Sequence, residues 1–328
     1  MTSKIILAAL LALGFAGAAH GGDALPVTRH MLTEKTSLTD ASLAYPQTGL
    51  RTIDDDIKAL ITKRAAEFKK LAEGYGRDKG GGGRPTGAYG QDVDYRIARN
   101  DAQVFAVIWD EETDFHGAHP SHDIFVANYL RPDGWRIYLP EILDGERGIA
   151  KLAALAGADL NRRLTGPDGI SDKDTIAEGT KPVATNFADF ALLVGKVHIE
   201  FPQYQVASYA AGPQAVDVPL AKLADVMRRD WRAPQASFPC VAAHAPIEIA
   251  ICSDAHLARL DRQVAETYFL HLGWVKSGAL GTPLATLENE QRAWLATRDK
   301  ACHPTPGYIA CLTGLYRARL DKLESLTL

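Results

Sequence analysis

The stretch "FPCVAAHAPIEIAICSDAHLARLD", Phe238 to Asp261, marks where the texture of this chain changes. Short β-rich runs precede it and helical periodicity follows it. It also carries the first two of four cysteines, Cys240 and Cys252; the others are Cys302 and Cys311, so none lies before residue 240. Beyond it, Leu257, Leu260, Val264 and Tyr268 share one helical face, a second helix runs from about Pro283 to Arg298, and Ile309, Leu312, Tyr316, Leu320 and Leu323 line a third. Roughly 90 residues in three short helices make a thin core, and secreted domains of that size use covalent staples worth about 2–4 kcal/mol each. The larger part of the chain can live on its own core.

An oxidising compartment is what the other end of the chain predicts. "MTSKIILAALLALGFAGAAHG", residues 1–21, has one Lys, an apolar run from Ile5 to Phe15, and small residues where a signal peptidase cuts. That run is too short to span a bilayer, no later one is longer, and no Cys stands at the cleavage region to take a lipid. A periplasmic or secreted protein is expected, in which an even cysteine count reads as disulfides. The formal net charge is −4, or −5 once Lys4 leaves with the signal. Mild acidity disfavours a general nucleic-acid binder and suits a basic partner.

Upstream of the linker "WRAPQAS", residues 231–237, the pattern predicts an α+β domain over residues 37–230 with an antiparallel sheet and few helices. Thr52 to Leu71 reads as an amphipathic helix started by a Thr52/Asp55 capping box. The Gly-rich "EGYGRDKGGGGRPTGAYG" (73–90) reads as a surface loop, since a phosphate loop would need a preceding strand and a following Gly-Lys-Ser/Thr. "DYRIAR", "VFAVIW", "DIFVANYL" and "RIYLPEIL" read as strands, with a hairpin turn at Arg131-Pro132-Asp133-Gly134. A helical patch at Ile149–Leu155 and a polar loop over 165–186 follow. "FADFALLVGKVHIEFP" reads as two strands around Gly195, and "AVDVPLAKLADVMRRD" as a strand, a Pro-started helix and a charged exit.

Residues 237–328 resemble the LprI-like lysozyme-inhibitor family throughout, on Phe238-x-Cys240, "PIEIAICSDAHLARLDRQVAETY", "EQRAWLATRDKAC" and "CLTGLYRARL". The resemblance implies a small disulfide-bonded helical module of exported bacterial proteins, some of whose members inhibit lysozyme. Four cysteines allow three pairings; the local one, Cys240 with Cys252 and Cys302 with Cys311, is preferred because both loops are short. The upstream domain resembles the extracellular domain shared by the lysozyme-sensing anti-sigma factor RsiV and the non-catalytic part of the deacetylase PdaC. Tyr45-Pro46, His116-Gly117-Ala118-His119 and "IEFPQYQVASYAAG" carry that likeness. His116 stands where those relatives usually have glycine. Together the two resemblances imply a protein that binds lysozyme or works at peptidoglycan.

Candidate contact residues lie in two segments. "WDEETDFHGAHPSHD" (109–123) places Asp110, Glu111, Glu112, Thr113 and Asp114 beside His116, His119 and His122; it reads either as a solvated hairpin tip or as an acidic surface that orients a basic partner. In "FPQYQVASYAAG", Pro202 restricts its neighbours, so Tyr204 and Tyr209 serve as rigid anchors or as core tyrosines. Glu112, Thr113, His116, Pro202 and Tyr204 are the expected partner-binding set. A zinc site from His116, His119, His122 and Asp123 is disfavoured, because i, i+3, i+6 histidines converge only on a helix or turned loop, and Gly117 and Pro120 oppose the helix. In the tail, Asp261, Arg262, Gln291, Arg292, Trp294, Arg298 and Asp299 carry the resemblance; Trp294 is expected to fill the helical core and Arg298 or Asp299 to pair across helix ends. No hydrolase elbow, His-Glu-x-x-His, phosphate loop or dinucleotide fingerprint is present, so neither catalysis nor a cofactor is expected.

Overall fold

The apolar run Val104–Trp109 is unbroken because both of its faces are covered in the computed structural model, which describes residues 24–78, 87–166, 169–277 and 281–325. Phe105, Val107 and Trp109 point one way and pack with Ile53, Ile57, Ile61 and Phe68. Val104, Ala106 and Ile108 point the other way, into a core with Val126, Phe190, Val197 and Ile199. This period-two division of a strand is what gives a sheet two apolar sides.

The sheet has six strands in sequence order: β1 (Thr28–Lys35), β2 (Thr39–Gln47), β3 (Tyr89–Asn100), β4 (Val104–Asp114), β5 (Ser121–Leu130) and β6 (Trp135–Arg136). All neighbours are antiparallel except β2 and β3, which run parallel because helix α1 (Arg51–Asp78) crosses between them. Helix α1 lays Ile53, Ile57, Ile61, Ala65, Phe68 and Ala72 on the sheet, while Leu71 points to solvent. Its start differs from the expected Thr52/Asp55 box. The helix begins one residue earlier, and Asp54 accepts from Thr48 N, Thr48 Oγ1 and Gly49 N (2.7, 2.8 and 3.0 Å). Thr52 instead donates to Asp133 O across the β5–β6 turn.

The other face of the sheet is covered by α3 (Gly145–Leu164) and a three-stranded antiparallel sheet of β7 (Phe190–Leu193), β8 (Lys196–Phe201) and β9 (Gln214–Pro219). Several expectations are corrected here. "RIYLPEIL" is strand only at its first residue; Pro140 in the first turn and the Glu141 carboxylate accepting Tyr138 N (2.9 Å) start a short helix, α2 (Leu139–Ile142). The patch at Ile149–Leu155 is part of the 20-residue α3. The polar 165–186 segment contains α4 (Lys173–Gly179), capped by Asp172, and a 3-10 turn at Ala184–Phe187. The Gly-rich segment is helical through Asp78; its residues 79–86 lie outside the described ones, as do the signal residues 1–21. A four-residue helix, α5 (Leu220–Leu223), follows β9.

The tail has four helices among the described residues: α6 (Pro246–Ser253), which the sequence reading did not separate, α7 (Ala255–Ser277), α8 (Leu284–Ala301) and α9 (Tyr308–Glu324). Leu257, Val264, Leu287, Leu312, Tyr316 and Leu320 form their common core. The sulfurs join Cys240 to Cys252 and Cys302 to Cys311, with Cα separations of 5.7 and 5.9 Å. Helix α7 is buried on a second side as well. Arg259, Gln263, Thr267, His271 and Trp274 follow one another at helical spacing, all nearly inaccessible, and meet α2, α3 and the sheet core. At the middle of that seam Arg259 pairs with Glu141 at 3.0 Å, both almost fully buried. Gln263 donates to the same carboxylate at 2.7 Å.

Candidate functional site

At the end of β4 the alternation that buries Phe105, Val107 and Trp109 continues into acidic residues. Glu111 falls on the α1 side, 6% exposed, accepting from Gln91 Nε2 (2.6 Å) and Arg64 Nη1 (2.9 Å). Burial raises its pKa, and Arg64 beside it pulls the other way. Asp123 shares Arg64 at 2.8 Å. Asp110 faces away and pairs with Arg96 at 2.7 Å. The acidic loop is therefore less negative outwardly than its composition suggests, and parity with Trp109 was the signal for Glu111. Glu112 and Thr113 sit opposite His122 and Ser121 across the ladder, with Glu112 Oε2 3.5 Å from His122 Nε2.

The three histidines of the hairpin diverge. His116 has φ +57°, the left-handed region that glycine favours; its ring packs on Tyr89 at 5.3 Å. His119 turns to the other side of the tip, where Nδ1 donates to Pro120 O (2.9 Å) and the ring stacks on Tyr209 at 3.7 Å. That bond fixes the tautomer, so Nε2 accepts from Tyr204 O–H at 3.4 Å, a long contact. Tyr209 donates to Pro120 O at 3.2 Å. Among the described residues no three His, Cys, Asp or Glu side chains converge to hold a metal ion.

Two segments about 85 residues apart are thus joined in one patch: Glu112, His122, Tyr209, His119 and Tyr204. Tyr204 is 61% exposed and has φ +70°, one of two non-glycine residues with positive φ among those described, His116 being the other. Strained backbone of this kind persists where the surroundings hold it. Here Gln205 Nε2 donates to Gly179 O (3.0 Å) and Asn186 O (2.9 Å), and Ser171 Oγ donates to Val206 O (2.7 Å). A Cβ at Gly179 would lie 1.9 Å from Gln205 O, so glycine is required where α4 meets this loop. No local pattern in the sequence marks Gly179, Gln205 or Asn186. His116 does not join the patch.

A second surface lies in the tail. A cleft of about 310 Å³ between α7 and α8 is lined by Asp261, Tyr268, Phe269, Gln291, Trp294 and Arg298, with Tyr316 at its wall. Asp261 accepts Tyr316 O–H at 2.7 Å and both Ser237 N and Oγ (2.8 and 2.6 Å). Arg298 Nη1 donates to the Tyr316 oxygen at 2.9 Å and Nε to the adjacent Asp299. Burial, with Asp261 alongside, holds the Tyr316 phenol well above its ordinary pKa. Trp294 is half-buried against Tyr316, edge to face at 5.1 Å, and forms cleft wall; it does not fill the core as expected. Phe269 stands 63% exposed at the rim. Arg262 pairs with Asp230 and Glu266, and Arg292 with Glu288, away from this network. Among the described residues no helix is long and apolar enough to cross a membrane.

Residues 142–221 match a family described as a protein of unknown function, DUF3298, and residues 240–323 match the lysozyme inhibitor LprI family. The chain is 23% identical over 188 residues to the peptidoglycan-N-acetylmuramic acid deacetylase PdaC of Bacillus subtilis (strain 168); the match covers 57% of this chain and 38% of that protein's length. A DUF3298 protein from Bacteroides fragilis aligns with TM-score 0.46 and 15% identity over 62% of this chain and 94% of that one. One from Pseudomonas aeruginosa gives 0.42 and 14%, over 64% and 97%. The chain thus carries two family matches in series. They are an N-terminal DUF3298 domain of the PdaC and RsiV type and a C-terminal LprI lysozyme-inhibitor domain.

Proposed function

We propose that this protein binds lysozyme, or a related peptidoglycan-cleaving enzyme, outside the cytoplasm and blocks it by occupying surface, without catalysis of its own. Residues 37–230 and 237–328 are its two units. The observation that carries it is the LprI match over 240–323; Asp261, Gln291, Trp294 and Arg298, four of the seven residues on which the resemblance rests, line a single cleft. Two disulfides are in keeping with an oxidising compartment. The patch around Tyr204 supplies a second contact surface, with a rigid exposed tyrosine as anchor and Glu112, Thr113 and Pro202 beside it. Muramidase turnover measured with several lysozyme types against a micromolar excess of the full chain tests this; turnover unchanged for every type counts against inhibition. A non-catalytic module that holds peptidoglycan is the second reading, favoured by the likeness to an enzyme named for its action on that polymer. Co-sedimentation of the protein with isolated sacculi, in the absence of lysozyme, separates the two.

A further inference from the structure

The seam between the tail and the sheet holds a small pocket where the two matched regions meet. Its volume is about 110 Å³, and it is walled by Val126, Ile137, Leu139, Pro140 and Phe190 from the α+β part and by Thr267 and His271 from α7. The exposed Ala188 marks its mouth. His271 is 2% exposed. Its Nδ1 donates to Thr267 O, one helical turn back, at 2.7 Å. That bond places the proton on Nδ1 and leaves Nε2 as an acceptor, and burial keeps the ring neutral by lowering its pKa. Among the described residues nothing bonds Nε2.

A buried acceptor without a donor is unfavourable, and the wall offers little to remedy it. Asn128 is consumed by Phe190 O and Leu192 N, and Thr267 O is taken by His271 itself. Arg136, the cation in the wall, lies 3.8 Å from Asp56 and over the Tyr138 ring. A water needs only about 10–15 Å³ and two to four polar partners, so this space is too large and too apolar for one. A cationic ligand would find no carboxylate in this wall, and an anionic one only Arg136, already drawn to Asp56. We propose that the pocket binds a small uncharged aromatic alcohol of phenol size, whose ring fills the apolar walls and whose hydroxyl donates to His271 Nε2. Such a ligand touches α7 and the sheet at once and so fastens the tail to the platform.

The test uses the full chain, phenol as probe and toluene as the same ring without a donor. Phenol is expected to bind roughly tenfold tighter than toluene, the worth of one hydrogen bond, and to shift the Nε2 nitrogen resonance of His271. In His271→Phe the two probes should bind alike. The nitrogen signal of the native chain needs no variant, so a misfolded His271→Phe protein does not spoil the test. Absence of phenol binding, equal affinity for the two probes in the native chain, or an unmoved Nε2 resonance at saturation overturns the proposal, the pocket then holding solvent only.

Discussion

Replacing Arg259 with Met is expected to destabilise the protein by about 3–5 kcal/mol, the usual cost of removing one partner from a buried ion pair. Arg259 is 2% and Glu141 3% exposed, and they face each other at 3.0 Å. With the guanidinium gone, Glu141 keeps only Gln263 and Tyr138 N as partners, and its carboxyl, already raised by burial, moves further up. The proton it then takes limits the loss at low pH, so the penalty grows as pH rises. Replacing both residues, Arg259→Met with Glu141→Leu, removes the stranded charge and should recover most of the stability, apart from about 1–2 kcal/mol for the lost bonds to Tyr138 N and Gln263. Urea denaturation of the full chain and the three variants gives the coupling directly. A single-variant cost below about 1 kcal/mol, or a double variant that is simply additive, refutes the claim that this pair is a buried element of the seam between α7 and α2.

Burial beside Asp123 pushes the Asp189 carboxyl up to about 7 from 3.8, Arg64 offsetting only part. Its folded-state pKa lies above the unfolded one, so its contribution is full below pH 4 and is lost as pH rises towards 7. At 1.36 kcal/mol per pH unit the loss is about 4 kcal/mol at most, less because the side chain keeps some access to water. Asp189→Asn should flatten that slope and be the more stable form at pH 8, as denaturation curves across pH 4–8 will show. Gly179→Ala should cost about 1–3 kcal/mol by driving Gln205 O away, and should speed hydrogen exchange at residues 203–209. Tyr204→Ala should leave the melting temperature within about 2 °C, because the residue is exposed, yet weaken lysozyme binding about tenfold in calorimetry.

Much of the architecture was legible because burial leaves periodic marks. "VFAVIW" is a continuous apolar run and "DIFVANYL" is broken within its apolar stretch only by Asn128, since both faces of β4 and β5 are covered, and α1 shows one clean stripe. Strand β1 left no such mark: from Thr28 to Lys35 nearly every side chain is exposed, as at an edge. The second buried side of α7 was hidden for the opposite reason. Arg259, Gln263, Thr267 and His271 make a polar stripe, which periodicity assigns to solvent, and only the sheet packed over it shows otherwise. The site divides in the same way. Tyr204 was legible from the proline two residues before it, whereas its meeting with His119 spans 85 residues and no local pattern encodes it.

The account stands or falls on whether this chain grips a lysozyme through the surfaces its two modules present. Hydrogen exchange of the full chain, with and without the lysozyme type that responds most in turnover assays, tests this most directly. Slowed exchange is predicted at 261–269 and 291–298 around the α7–α8 cleft, with a second protected segment at 202–209. Exchange unchanged along the whole chain at saturating lysozyme, or slowed only on surfaces remote from both, contradicts it.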